Sequence, residues 1–212
     1  MSIAPLSPDQ RDSLQEITNI AMGQAGASLA TLLNTFVNLS VPRINLLALP
    51  DVSGSIRNLV GSDVEVTAVR QSFQGYLMGE AIVIYQQAGC KELASMLGHT
   101  DELNQAAETE LLLDVANILV GACLGGITEQ LKGISKENNS GELRFSAPSV
   151  MAVNVPPETL INPEKLSWTH ALLVEVNFTL ENRNFVSHLV MLMPEKTIEK
   201  IRGVLDEFIA SF

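Results

Sequence analysis

The stretch Asp12-Ser13-Leu14-Gln15-Glu16-Ile17-Thr18-Asn19-Ile20-Ala21-Met22-Gly23 decides how this chain of 212 residues is read. Its pattern returns 98 positions later in Glu110-Leu111-Leu112-Leu113-Asp114-Val115-Ala116-Asn117-Ile118-Leu119-Val120-Gly121. In each, an acid is followed four residues on by a second acid, then three on by asparagine, then four on by glycine. Helical spacing of about 100° per residue puts Asp12, Glu16, Asn19 and Gly23 within one stripe about 60° wide. Leu14, Ile17, Ala21, Ala25 and Leu32 collect on the opposite side, as a core-facing stripe does. The second helix sorts the same way, with Glu110, Asp114, Asn117 and Gly121 on one side and Leu112, Val115, Leu119 and Cys123 on the other.

A long helix normally coats its outer face with Lys, Glu, Arg and Gln, strong helix formers with solvated ends. Here that face offers a carboxylate and an amide one turn apart, then glycine. Each glycine inside a helix costs about 1 kcal/mol against alanine. Gly23, Gly26, Gly121, Gly125 and Gly126 therefore weaken these helices appreciably, and close approach by another backbone is the usual reason. Taken alone, either helix needs no function to carry an acid and an amide on a solvated face. The same pair at matching positions in both is read as a site.

Outward from these helices the pattern continues. Ser7-Pro8-Asp9-Gln10 opens the first, with Ser7 capping free amides and Pro8 tolerated in the first turn; it is predicted to run to about Val37. Strands are predicted over 41–49, 64–69 and 75–85, with Gln74-Gly75 as a turn, and a short helix over 86–97 stopped at Gly98. The pattern restarts at Thr100-Asp101-Glu102 with a helix to about Lys132. Strands follow around 146–155, 168–180 and 185–193, and a helix over 194–209 closes the chain. Residues 135–141 and 156–165 read as irregular insertions. The expected fold is α+β: an internally duplicated helix–three strands–helix unit with pseudo-two-fold symmetry, its long helices packed on β-sheet. One domain is expected over 1–212, with pseudo-repeats at about 7–98 and 100–210. Two copies are too few for a solenoid.

Hydrophobic types make up 46% of the chain and charged types 17%, which excludes intrinsic disorder. The 24 acidic and 13 basic residues give a net charge of −11, a poor match for nucleic acid or an anionic membrane surface. Cys90 and Cys123 cannot make a disulfide framework or a four-ligand zinc site, and His99, His170 and His188 are scattered, so no metal is expected. The first residues lack the apolar run of a signal peptide, and no run of about 18 apolar residues is present. A reducing cytoplasm is the expected setting.

These residues resemble the CheC family of chemotaxis phosphatases, related to CheX and the phosphatase domain of FliY. The family pattern is Asp or Ser, three residues, Glu, two residues, Asn, then twenty-two residues and Pro. Asp12, Glu16, Asn19 and Pro42 match it, and Ile20-Ala21-Met22-Gly23 is similar to the family's NIGAGN continuation, with departures that include Met22 and Gln24. The second copy departs further. Glu110 and Asp114 stand for the two acids, and the equivalent proline, Pro148, arrives eight residues late, after the 135–141 insertion. Aspartate is one methylene shorter than glutamate, and misplacement by about 1 Å costs on the order of 100-fold in rate. Asp114 and Asn117 are therefore expected to form a weakened second site.

The resemblance implies a phosphatase for the aspartyl phosphate of a CheY-type receiver domain. Asn19 would orient the attacking water and Glu16 would pair with the receiver's lysine, with Asp12, Pro42, Gly23, Glu110 and Gly121 in support. It implies no cofactor of this chain's own, Mg²⁺ being held by the receiver. An amide suits the task because it donates and accepts hydrogen bonds without adding charge beside a phosphoryl group. The alternative is a non-catalytic adaptor that binds a receiver or a CheD-like protein. A flagellar-switch component like FliY, expected to carry a further rotor domain, ranks below both, and a metal hydrolase below that.

Overall fold

A computed structural model describes residues 4–61, 63–86, 105–135, 141–162, 164, 168–181 and 185–211, without the side chains of Leu32 and Gln105. The elements run α1 (Pro8–Leu33), β1 (Val37–Leu39), β2 (Arg43–Ala48), α2 (Leu49–Val60), β3 (Val66–Gln74) and β4 (Gly79–Gln86). They continue with α3 (Gln105–Ile134), β5 (Arg144–Phe145), β6 (Ser149–Val155), a 3₁₀ turn (Pro157–Thr159), β7 (His170–Leu180), β8 (Val186–Pro194) and α4 (Glu195–Ile209). The eight strands form one antiparallel sheet ordered β1-β7-β8-β4-β3-β5, with β2 also on β7 and β6 also on β3. Exchanging β1, β2, β3 and β4 for β5, β6, β7 and β8 leaves this order unchanged, read from the other end.

Alternation along the central strands divides the core into two layers. Ala81, Val83 and Tyr85 of β4, with Val174, Val176 and Phe178 of β7, face α1, α3 and α4. Ile82 and Ile84 face the other way, with Ala171, Leu173, Val190 and Leu192, toward α2 and the 3₁₀ turn. Helix α3 is long and apolar enough, by length and composition, to cross a membrane. Here its apolar side packs into the core through Leu112, Val115, Leu119 and Cys123, while the Asp114 and Asn117 side stays exposed.

Several boundaries differ from the sequence expectation. Helix α1 stops at Leu33 because Asn34 takes the left-handed conformation (φ 47°) and its N–H bonds Ala30 O. Val37 instead opens β1, opposite Leu180. Leu49, expected to end a strand, instead begins α2, which runs through 50–60, a segment assigned no element above: Pro50 sits in its first turn, and Leu49, Val52, Ile56 and Val60 bury at helical spacing. Short edge strands β1 and β5 make each half four-stranded. The turn after Gln74 does contain Gly75, at φ +123°, where a Cβ would lie 2.0 Å from Glu142 O. Gln86, expected to open a helix, ends β4; the rest of the helix expected over 86–97, the first residues of the second long helix and most of the 135–141 segment lie outside the described residues.

Tertiary packing accounts for two of the five helical glycines. A Cβ on Gly126 would lie 2.9 Å from Ala21 Cβ and 3.0 Å from Ala21 Cα, so α1 and α3 touch there almost backbone to backbone. Gly26 abuts Leu39, whereas among the described residues nothing outside the local helix backbone lies within 4 Å of the Cβ position at Gly23, Gly121 or Gly125. Met22 is buried beside the same crossing, its sulfur accepting from the Cys123 thiol at 3.4 Å. Burial pushes the Cys123 pKa up, so the thiol stays protonated.

Two predictions follow from this packing. Gly126→Ala is expected to lose roughly 1–3 kcal/mol through overpacking, while Gly125→Ala gains about 0.5–1 kcal/mol from helix propensity. Urea denaturation of the two variants should therefore move the midpoint in opposite directions. On the far side of the sheet, His188 is buried with Nδ1 2.9 Å from Asn177 Oδ1, and burial lowers its pKa to about 4. Its neutral form is the one that folds, so stability falls as pH drops from about 6.5 toward 4, by on the order of 3 kcal/mol. Nearby Glu175 works in the opposite sense, because burial raises its pKa against the Ser55 hydrogen bond and Arg43. The measurement is therefore the difference between wild type and His188→Leu across that range; parallel curves would contradict it.

Candidate functional site

Helix α1 begins with a complete capping box. Ser7 Oγ accepts from Gln10 N at 3.1 Å, and Gln10 Oε1 accepts from Ser7 N at 2.9 Å. Gln10 is buried and donates through Nε2 to Asp206 on α4 at 2.6 Å. The first turn is thereby anchored, and the rotation of the following turns is set by burial of Leu14, Ile17, Ala21 and Ala25. What remains outward is the stripe expected from the sequence: Asp12, Glu16, Asn19 and Gly23 are all exposed. Among the described residues no side-chain hydrogen bond or ion pair engages Glu16 or Asn19. Beside them Ile20 is 43% exposed, an apolar contact standing next to two polar ones.

Pro42 is buried, at the corner that delivers the chain into β2. It lines an open groove of about 620 Å³ with Arg11, Asp12, Gln15, Ser40, Val41, Arg43, Ile44 and Asn45. The structure thus brings Asp12 and Pro42 to one groove, while Glu16, Asn19 and Gly23 lie farther along α1. Two arginines flank this groove in a chain of net charge −11, so the local field at the start of the stripe is less negative than the whole.

On α3, Glu110, Asp114 and Asn117 are exposed and Gly121 is half-buried. This second stripe is not free. Asn117 Oδ1 accepts a hydrogen bond of 2.9 Å from Gln71 Nε2, and the same nitrogen donates to the Ser146 carbonyl at 2.9 Å. A carbonyl can only accept, so the Ser146 oxygen decides which end of the Gln71 amide faces Asn117. Among the described residues Gln71 Oε1 is left buried without a partner, a cost of about 1–3 kcal/mol. Sequence reasoning missed Gln71, although Val69-Arg70-Gln71-Ser72-Phe73 carried the signal: alternation puts a glutamine between two apolar residues on the core face.

Pro148, half-buried, directly precedes Ser149, the first residue of β6, as Pro42 precedes Arg43 of β2. Ser149 pairs with Arg70 and Arg43 pairs with Glu175. The two prolines therefore stand at matching places in the sheet despite the longer approach to Pro148. Trp168 is half-buried against the α2 layer and His170 lies at the start of β7. Among the described residues no cluster of three or more His, Cys, Asp or Glu side chains could hold a metal ion.

An antiparallel sheet carrying two helices, each with an outward acid–amide stripe, defines the class in which relatives are to be sought. Residues 10–46, which contain Glu16, Asn19 and Pro42, match the model of the CheC-like family. The chain is 24% identical over 207 residues to the CheY-P phosphatase CheC of Bacillus subtilis, covering 92% of this chain and 93% of that protein. Its fold is that of Thermotoga maritima FliY, with a TM-score of 0.70 at 18% identity over 97% of this chain and all of that one. It is also that of Helicobacter pylori FliM in a FliM–SpeE complex, with a TM-score of 0.63 at 10% identity over 98% of this chain and all of that one. The resemblance read from the motif is thus met by a family model, a full-length relative and the fold.

The different surroundings of the two asparagines predict different stability costs. Asn19→Ala should be neutral or slightly stabilising, since nothing is lost and alanine is the better helix former. Asn117→Ala should cost about 0.5–1.5 kcal/mol for the lost Gln71 hydrogen bond. Thermal melts of the two single variants would rank them, and equal melting temperatures would contradict the asymmetry.

Proposed function

We propose that this chain dephosphorylates the aspartyl phosphate of a CheY-type receiver domain in the cytoplasm, with Glu16 and Asn19 as its working pair. The observation that carries this reading is their exposure, one turn apart, on a capped helix with an exposed glycine next along the stripe. A helix presented in this way can lie across a partner's pocket without first breaking contacts of its own. The CheY-P phosphatase named among its relatives supports that choice of partner.

The chemistry asks little of this chain. The acyl phosphate, and the Mg²⁺ that balances its charge, reside on the receiver. Water attacks phosphorus in line as the bond to the aspartyl oxygen breaks, yielding inorganic phosphate and a free carboxylate. Asn19 holds the water by accepting from one of its hydrogens, and Glu16 pairs with the receiver lysine to fix the register. Positioning is the main contribution in phosphoryl transfer. A carboxylate in place of Asn19 would repel the phosphoryl group. Exposed Ile20 supplies apolar contact beside the pair, while Arg11 and Arg43 temper the repulsion expected between two acidic proteins.

Asn19→Ala should slow phosphate loss from a phosphorylated receiver by about 100-fold while leaving the fold intact. Decay of radiolabelled receiver at increasing phosphatase concentration measures it, and a wild-type rate in the variant would remove Asn19 from the mechanism. A second reading, an adaptor that docks a receiver or a CheD-like protein without hydrolysis, is favoured by one observation: the Asn117 amide is held from within by Gln71. A tight complex that leaves receiver dephosphorylation unchanged would select it.

A further inference from the structure

The two repeats carry different side chains at one matched position of the sheet. Arg70 and Glu175 are matched because each pairs with the first residue after a proline, Ser149 after Pro148 and Arg43 after Pro42. Ser72 opposite Glu80 and Asn177 opposite His188 are matched in the same way. Between them lie Gln71, opposite Ala81, and Val176, opposite Leu189, both on the face covered by the long helices. The contact crosses between the repeats: Gln71 of the first engages Asn117 of the second, whereas Asn19, at the position in the first repeat matching Asn117, has no side-chain hydrogen bond among the described residues.

We propose that Gln71 silences the second acid–amide pair, by donating to Asn117 Oδ1 and turning that acceptor inward. An amide is planar with oxygen and nitrogen on opposite sides, so an oxygen drawn toward the sheet leaves the NH₂ group outward. The outward group then donates only, whereas holding an attacking water with its lone pair toward phosphorus calls for an acceptor. The Ser146 carbonyl fixes the Gln71 amide in its donating orientation, so rotation of Gln71 does not release Asn117 without losing two hydrogen bonds. Asp114, one methylene shorter than Glu16, is a second handicap at this site, independent of the first. Gln71 is thus a positioning residue acting through Asn117, and Val176 is the template for its removal.

This inference rests on the phosphatase reading, and one series of variants separates the two. The probe is a CheY receiver phosphorylated with radiolabelled acetyl phosphate, its decay followed with wild type, Asn19→Ala, Asn19→Ala/Asp114→Glu, and that double variant with Gln71→Val added. Gln71→Val is expected to raise the catalysed rate at saturating receiver by about tenfold over the double variant, with half-saturation unchanged. A gain cannot arise from damage to the fold, since damage only lowers activity. An unchanged or lower rate in the triple variant, with wild type active and Asn19→Ala impaired, overturns the role of Gln71 alone. A wild type that fails to accelerate receiver decay overturns both.

Discussion

Helices α1 and α3 cross where Gly126 meets Ala21, and the arrangement of the molecule depends on how close that contact is. With no side chain at position 126, two long helices lie side by side over one face of a sheet whose central strands are covered on both faces. Each helix turns its apolar stripe to the core and meets the other helix through a small residue, Ala21 on α1 and Gly126 on α3. Among the described residues the remaining face of each helix is exposed, and that is the face bearing the acids and amides. A bulkier residue at the crossing would separate the helices and tilt both stripes.

The sheet below treats its two halves alike in topology and differently in chemistry. Exchanging the halves restores the strand order, and the prolines entering β2 and β6 stand at matching positions. The side chains at matching positions diverge: Ser72–Glu80 against Asn177–His188, Arg70 against Glu175, Gln71 against Val176. Backbone hydrogen bonding constrains the first kind of likeness strongly, because a strand that changes register loses its whole ladder and flips its faces. Side-chain identity under a helix is constrained only by volume and by a partner for any buried polar atom. Gln71 meets that second condition partly, with Nε2 bonded twice and Oε1 not at all.

Much of this was legible in the sequence. The acid–amide stripes, the opposing apolar stripes of Leu14, Ile17 and Ala21 and of Leu112, Val115 and Leu119, and the glycine turn at Gly75 follow from period and from local backbone chemistry. So does the Ser7–Gln10 cap, which spans only four residues. Helix α2 was overlooked because Pro50, Ser53, Gly54 and Ser55 look like a connection when composition is weighed over period. Its apolar positions 49, 52, 56 and 60 gain their meaning only against the far side of the sheet.

The sequence by itself determined which faces of the two long helices would be apolar and which polar, since that needs nothing beyond the helical repeat. Tertiary structure alone decided what each polar face meets. Gln71 and Asn117 are 46 positions apart, and Gly126 and Ala21 more than twice that. No local rule links residues so distant; they meet because strand register and helix packing bring them together. That is why two stretches of helix with the same polar pattern end with one asparagine open to solvent and the other tied to the sheet.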